Sequence, residues 1–174
     1  MNAKISILVV MFSLIMSSVF AQEKTKKQIK EEAKLEKQKQ VENLVNAKAF
    51  DFIGKTVIPS GYKPINLTNT SNFMKFRPDV IESYLPFYGN ANIGAGYGGD
   101  EAMKFTGKPE NFTITKGKKN YRCSAIVKGE RDTYRISLTV RFGGTASLTI
   151  ISNNRSIISY SGDIIAPETK KERK

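Results

Sequence analysis

Tyr121-Arg122-Cys123-Ser124-Ala125-Ile126-Val127-Lys128 and Tyr134-Arg135-Ile136-Ser137-Leu138-Thr139-Val140-Arg141-Phe142 are the stretches that decide the fold. In the first, Tyr121, Cys123, Ala125 and Val127 face one way. In the second, Tyr134, Ile136, Leu138, Val140 and Phe142 do the same. Period two is the signature of strands with one buried face. The loop Gly129-Glu130-Arg131-Asp132 sets Val127 opposite Tyr134, Ala125 opposite Ile136 and Cys123 opposite Leu138. Apolar then meets apolar along the whole pair, as register requires. Gly143-Gly144 opens the next turn. A three-residue loop through Thr145, with a glycine in the left-handed region, puts Val140 opposite Leu148 and Leu138 opposite Ile150. Asn153-Asn154 suits a tight turn with positive φ at both positions. Ile157 and Ile158 are both apolar, so the pattern leaves the last register open.

Working outward, further strands are expected near 50–58, 72–77, 79–85, 102–106 and 111–116, and at the chain's end near 145–152 and 155–164. No helical period intervenes after residue 50, which argues against βαβ units. The expected class is α+β: an N-terminal charged helix, then a largely antiparallel sheet, a meander of about seven to nine short strands. The sheet's apolar face needs a cover, either the helix or a second layer from strands 50–85.

Four segments organise the chain. Residues 1–21 read as a signal peptide: Lys4, an apolar run Ile5–Met16, then Val19 and Ala21 at the −3 and −1 positions of a cleavage site. The run is shorter than the roughly 18–20 residues of a membrane span. No Cys stands near the cleavage point, so no lipoprotein anchor is expected, and no span remains after cleavage. The protein should be periplasmic or secreted. Residues 22–49 are a charged helix or linker, with Thr25 and Gln28 spaced as a capping box and Val41, Leu44 and Val45 forming its apolar stripe. Residues 50–164 are the β-rich domain. Residues 165–174 are a charged tail, expected to be disordered.

Composition removes whole classes of chemistry. The 174 residues carry a net charge of +12, no His, no Trp and one Cys. Without His there is no Ser-His-Asp triad, no Cys-His dyad and no His-ligated zinc. One Cys permits neither an intrachain disulfide nor a four-cysteine metal site. Gly94-Ala95-Gly96-Tyr97-Gly98-Gly99 matches G-x-G-x-x-G only formally, because a strand-like segment follows where a helix is needed. Ser60-Gly61-Tyr62-Lys63 matches S-x-x-K, but Pro59 and Pro64 bracket it as a turn. No cofactor is expected. Asp100 and Glu101 are adjacent and so point apart; a carboxylate pair for hydrolysis would need partners such as Asp79 or Glu82 through folding. Cys123 lies on the apolar face and reads as a buried, inert thiol.

Two surfaces remain as candidates for binding. Tyr84, Phe87, Tyr88 and Tyr97 form the densest aromatic patch, beside the glycine-rich segment. Such rings either pack the loop onto the core or offer rigid contact area. Arg122, Arg135 and Arg141, with Lys128 on the same face and Arg155 near, form a basic stripe. A stripe of this kind is either ordinary solvated surface or an attractor of anions. In an exported protein the anion would be a lipid or glycan of the envelope rather than nucleic acid; another envelope protein is the other partner considered.

Tyr84-Leu85-Pro86-Phe87-Tyr88-Gly89, Tyr97-Gly98-Gly99, Lys104-Phe105, Ser152-Asn153-Asn154-Arg155 and Ile158-Ser159-Tyr160-Ser161-Gly162 occur in that order. Together they resemble domain-of-unknown-function family 4251, secreted proteins common in the Bacteroidota. The helix end Val41-Glu42-Asn43-Leu44-Val45 and the strand from Phe50 look similar too, so the likeness covers about residues 40–164. The resemblance implies export and a β-rich domain. It implies no established activity, so no catalytic residue is carried over. The sequence thus favours a non-enzymatic binding or interaction module of the bacterial envelope. A hydrolase acting on envelope or polysaccharide material is the alternative, and a structural envelope component a third class.

Overall fold

The computed structural model describes residues 25–67, 72–88, 102–130 and 132–167. The expected signal peptide, the G-x-G-x-x-G match, Asp100, Glu101 and most of the charged tail lie outside them. The chain divides between Leu35 and Glu36 into two units. In the first, Thr25 and Gln28 form the expected capping box: the Thr25 N–H donates to Gln28 Oε1 at 2.8 Å and the Gln28 N–H returns to Thr25 Oγ1. They start α1, Lys26–Asn46, whose side chains as far as Leu35 are all exposed.

In the second unit α1 buries Val41 and Val45. The helix ends in a reversal with Lys48 in the left-handed region at φ 52°. The Ala49 N–H donates back to the Leu44 carbonyl at 3.2 Å, which satisfies one of the orphan carbonyls of the last turn. Lys48 also has work of its own: its Nζ donates to the Phe112 carbonyl at 2.8 Å and lies 4.7 Å over the Phe112 ring. Among the described residues no helix is long and apolar enough to cross a membrane.

Ten strands follow: β1 Phe50–Pro59, β2 Ile65–Asn66, β3 Phe73–Phe76, β4 Ile81–Pro86, β5 Ala102–Gly107, β6 Pro109–Lys116, β7 Asn120–Lys128, β8 Thr133–Arg141, β9 Thr145–Ser152 and β10 Ile158–Ile165. They form one antiparallel sheet in the order β5-β4-β3-β1-β10-β9-β8-β7-β6, with β2 pairing β1. The expected single meander is corrected by this order. There are two meanders, and the long pairing of β1 with β10 joins them. The sheet curls until its ends approach, nearly closing a barrel. Phe105 of β5 stacks on Tyr134 of β8 with ring centroids 3.9 Å apart, and the Tyr160 hydroxyl of β10 donates to the Pro86 carbonyl of β4 at 2.9 Å. Both proposed covers for the apolar face are therefore present: the sheet covers itself, and α1 adds Val41 and Val45 to the same core.

The β7–β8 register is as expected, with Val127 opposite Tyr134, Ala125 opposite Ile136 and Cys123 opposite Leu138. The next pairing differs by two residues. Leu138 faces Leu148, Ile136 faces Ile150 and Val140 faces Ala146. The loop is three residues long, but it begins at Phe142 rather than Gly143. Gly144 takes φ 93° and donates to the Arg141 carbonyl at 2.8 Å. Phe142 leaves the strand to pack on Tyr121, with centroids 5.2 Å apart. A slip of two keeps every side chain on its face, so alternation alone is blind to it.

The Asn153-Asn154 turn also differs. Neither residue has positive φ, and β10 begins only at Ile158. Ser152 organises the reversal instead, its Oγ accepting from the Asn154 and Arg155 N–H groups at 3.1 and 3.0 Å. Ile158 is the buried one of the isoleucine pair and Ile157 the exposed one.

Candidate functional site

Arg122 on β7 and Arg135 and Arg141 on β8 all point outward, because each alternates with buried neighbours. Arg122 stands between Thr115 of β6 and Thr139 of β8. Arg135 stands between Ile126 of β7 and Ile151 of β9, and Arg141 beside Asn120. All three are exposed, and among the described residues none of their guanidinium groups has an ion-pair or hydrogen-bond partner. Two other cations of this outer surface are neutralised: Lys128 pairs with Glu110 at 3.0 Å and Lys55 with Asp163. Arg155 leaves the stripe altogether. Its guanidinium donates to the Ala102 carbonyl at 3.1 Å and lies 5.0 Å over the Phe87 ring.

Between the arginines runs a row of hydroxyls that only the assembled register reveals. Thr113, Ser124, Ser137, Thr149 and Ser159 stand opposite one another across β6, β7, β8, β9 and β10. Thr113 and Ser124 share a hydrogen bond at 2.7 Å, and Thr149 and Ser159 one at 2.9 Å. A second row lies beside it: Thr115, Arg122, Thr139, Ser147 and Ser161. Strand spacing of about 4.8 Å makes each row roughly 19 Å long. No aromatic ring stands in either row.

The aromatic patch is divided. Phe87 is buried under Arg155. Tyr84 is exposed, its ring stacked on Phe73 with centroids 6.1 Å apart, and Tyr88 is exposed too. Tyr97 lies outside the described residues. The motif residues that carried the family resemblance meet here: Arg155 touches Phe87, and Tyr160 binds the Pro86 carbonyl. Burial holds the Tyr160 phenol well above its ordinary range against the opposing charge of Arg155, so the hydroxyl stays a donor. Asp132 ties the same end, accepting from Ser152 Oγ and from the N–H groups of Thr133 and Asn153. These contacts hold that end of the barrel together.

Nothing described collects a set of catalytic groups. Asp79 is exposed at a turn, and Glu82 is ion-paired with Lys75 at 3.3 Å. Ser60–Lys63 is a turn, with the Tyr62 N–H donating to the Pro59 carbonyl and Gly61 at φ 81°. A groove of about 650 Å³ between α1 and the end of β10 is lined chiefly by apolar side chains, with Lys37, Gln40 and Asn43 at its rim and no acid or nucleophile.

Cys123 is 2% exposed and unpaired. Burial pushes its thiol up to about 12, against the nearby charge of Lys48. The reactive thiolate is therefore suppressed at neutral pH. Native protein at pH 8 should label with a thiol reagent only as fast as it unfolds, and denatured protein at once. Because the folded value is raised, this group favours folding below its unfolded value of roughly 8.5 and loses that contribution as pH climbs toward the folded one. Rapid labelling of native protein would place Cys123 outside the core.

Comparison with known proteins agrees with this fold. No curated protein matches the chain in sequence. The crystal structure of a DUF4251 family protein from Bacteroides eggerthii DSM 20697, at 1.95 Å resolution, is similar with a TM-score of 0.61 at 20% identity, covering 75% of this chain and 87% of that one. A family model described as Domain of unknown function (DUF4251) matches residues 32–164. That match takes in most of α1 and the ten strands up to Ile164, and the protein belongs to the DUF4251 family.

Proposed function

We propose that the protein is an exported, non-catalytic binding module of the bacterial envelope that takes an anionic ligand on the outer face of β7 and β8. One observation carries this reading: Arg122, Arg135 and Arg141 share one exposed face and have no acidic partner among the described residues. An arginine fork holds phosphate or carboxylate in two places, and three such forks unneutralised leave a local positive field. The ligand's shared chemistry is a phosphate or carboxylate, carried by a lipid headgroup or a glycan. Export rests on the N-terminal sequence, with Lys4, the apolar run and Ala21.

Titration against lipopolysaccharide and against acidic glycans, at low and high salt, tests it. Binding should weaken as salt rises, because exposed charges are screened over about 8 Å at physiological ionic strength. The double substitution Arg135→Gln with Arg141→Gln should weaken it by about tenfold or more, since hydrogen bonds to charged groups are worth roughly 1.5–3 kcal/mol each. Its melting temperature should hardly move. Salt-independent binding abolished by Tyr88→Ala would transfer the site to the aromatic patch. No binding at either salt would end the anion reading.

A further inference from the structure

Building on that reading, we infer that the anionic ligand is an extended acidic polysaccharide laid across the strands, rather than a lipid headgroup. Three features of the face select it. The first is the row Thr113, Ser124, Ser137, Thr149 and Ser159, continuous over five hydrogen-bonded strands. A hydroxyl both donates and accepts, as sugar hydroxyls do. The Ser137 hydroxyl in the middle has no hydrogen-bond partner among the described residues, while the outer two pairs bond within themselves. The platform is thus self-consistent when empty and still has free capacity along its length.

The second feature is where the arginines stand. Arg122 lies two residues beyond Ser124 on β7, and Arg135 two residues beyond Ser137 on β8, on the opposite side of the row. Along the strands they are four residues apart, roughly 13 Å. One sugar cannot reach both. A chain running along the row meets one arginine on each flank, and Arg141 extends the charged side one alternation past Thr139.

The third feature is what the face lacks. The apolar side chains beside these arginines are Ile126 and Ile151, which flank Arg135. Two isoleucines cannot seat the acyl chains of a lipid. With no ring in either hydroxyl row, neither a nucleic acid's bases nor a neutral sugar's apolar faces find a stacking platform. A neutral glycan would lose the charge contacts as well. The face suits a polymer that is hydroxyl-rich and acidic together.

The test uses galacturonic acid, its oligomers of increasing length, polygalacturonate, neutral dextran and phosphatidylglycerol vesicles, each titrated into the protein. Affinity for galacturonate should rise at least tenfold from the single sugar to the longer oligomers, and dextran should not bind. Ser124→Val with Ser137→Val keeps strand-forming side chains and every arginine. It should cut polygalacturonate affinity several-fold and leave the single sugar's affinity unchanged. Affinity independent of chain length, or indifferent to the Ser→Val pair, overturns the inference. Binding to vesicles but not to polygalacturonate also overturns it, while leaving the anion reading intact. Binding to neither removes both.

Discussion

Gly162→Ala should cost about 3 kcal/mol or more, the upper end of what overpacking a filled interior does. Gly162 lies in β10, opposite Gly54 of β1 on one side and Ala146 of β9 on the other. A Cβ built there would stand 1.9 Å from the Ile53 carbonyl oxygen and 3.1 Å from the Phe52 ring. The clash is with backbone, so no rotamer relieves it. The β1 strand comes this close because its register with β10 shifts between Gly54 and Thr56. Such a bulge brings one strand's backbone onto its neighbour and leaves room only for glycine. Against a total stability of roughly 5–15 kcal/mol, the loss should show as a large drop in the denaturant midpoint, or as failure to accumulate folded protein. A loss under about 1 kcal/mol would mean that β1 and β10 do not pair in this register.

The same glycine shows what the sequence could and could not tell. In the sequence Gly162 stands out only as part of the ordered string Ile158-Ser159-Tyr160-Ser161-Gly162, by resemblance. Its physical role needs β1, a hundred residues earlier in the chain, and no local pattern points there. The other motif residues behave alike: Arg155 reaches Phe87 and the Ala102 carbonyl, and Tyr160 reaches the Pro86 carbonyl. These residues knit one end of the barrel. Motifs that read as a candidate surface turn out, in the case of Phe87 and Arg155, to be contacts of the core. No signal in one sequence separates an aromatic ring awaiting a ligand from one already covered by an arginine.

Where the candidate site is legible in the sequence, period two makes it so. It placed Arg122, Arg135 and Arg141 on the outward face, and the structure shows them exposed there. It could not show that Glu110 neutralises Lys128, because Glu110 precedes a bulge with Asn111 at φ 51°. The hydroxyl row is only partly visible in the sequence, since Ser124, Ser137 and Thr149 each alternate with apolar neighbours in β7, β8 and β9. Its continuity to Thr113 and Ser159 depends on four registers at once, one of which the pattern misplaced. The two-residue strand β2 gives no signal, because two residues carry no period.

Leu138→Ala carries the other large effect and tests that misplaced register. Leu138 is fully buried in β8, with Cys123 opposite on one side and Leu148 on the other. Truncating a buried Leu costs roughly 2–5 kcal/mol, depending on how far the surroundings collapse into the cavity. Here β8 is hydrogen-bonded along its length to both β7 and β9, so the backbone has little freedom to close the gap. The loss should therefore fall in the upper half of that range, read from denaturant unfolding. Ile151→Ala on the exposed face should by contrast change stability by no more than about 0.5 kcal/mol. Register is decided by a double-mutant cycle. Coupling between Leu138→Ala and Leu148→Ala should lie in the roughly 0.5–3 kcal/mol range of contacting residues, and should exceed that between Leu138→Ala and Ile150→Ala. If Ile150 couples more strongly, the loop starts at Gly143, Phe142 returns to the strand, and the hydroxyl row would break between Ser137 and Thr149.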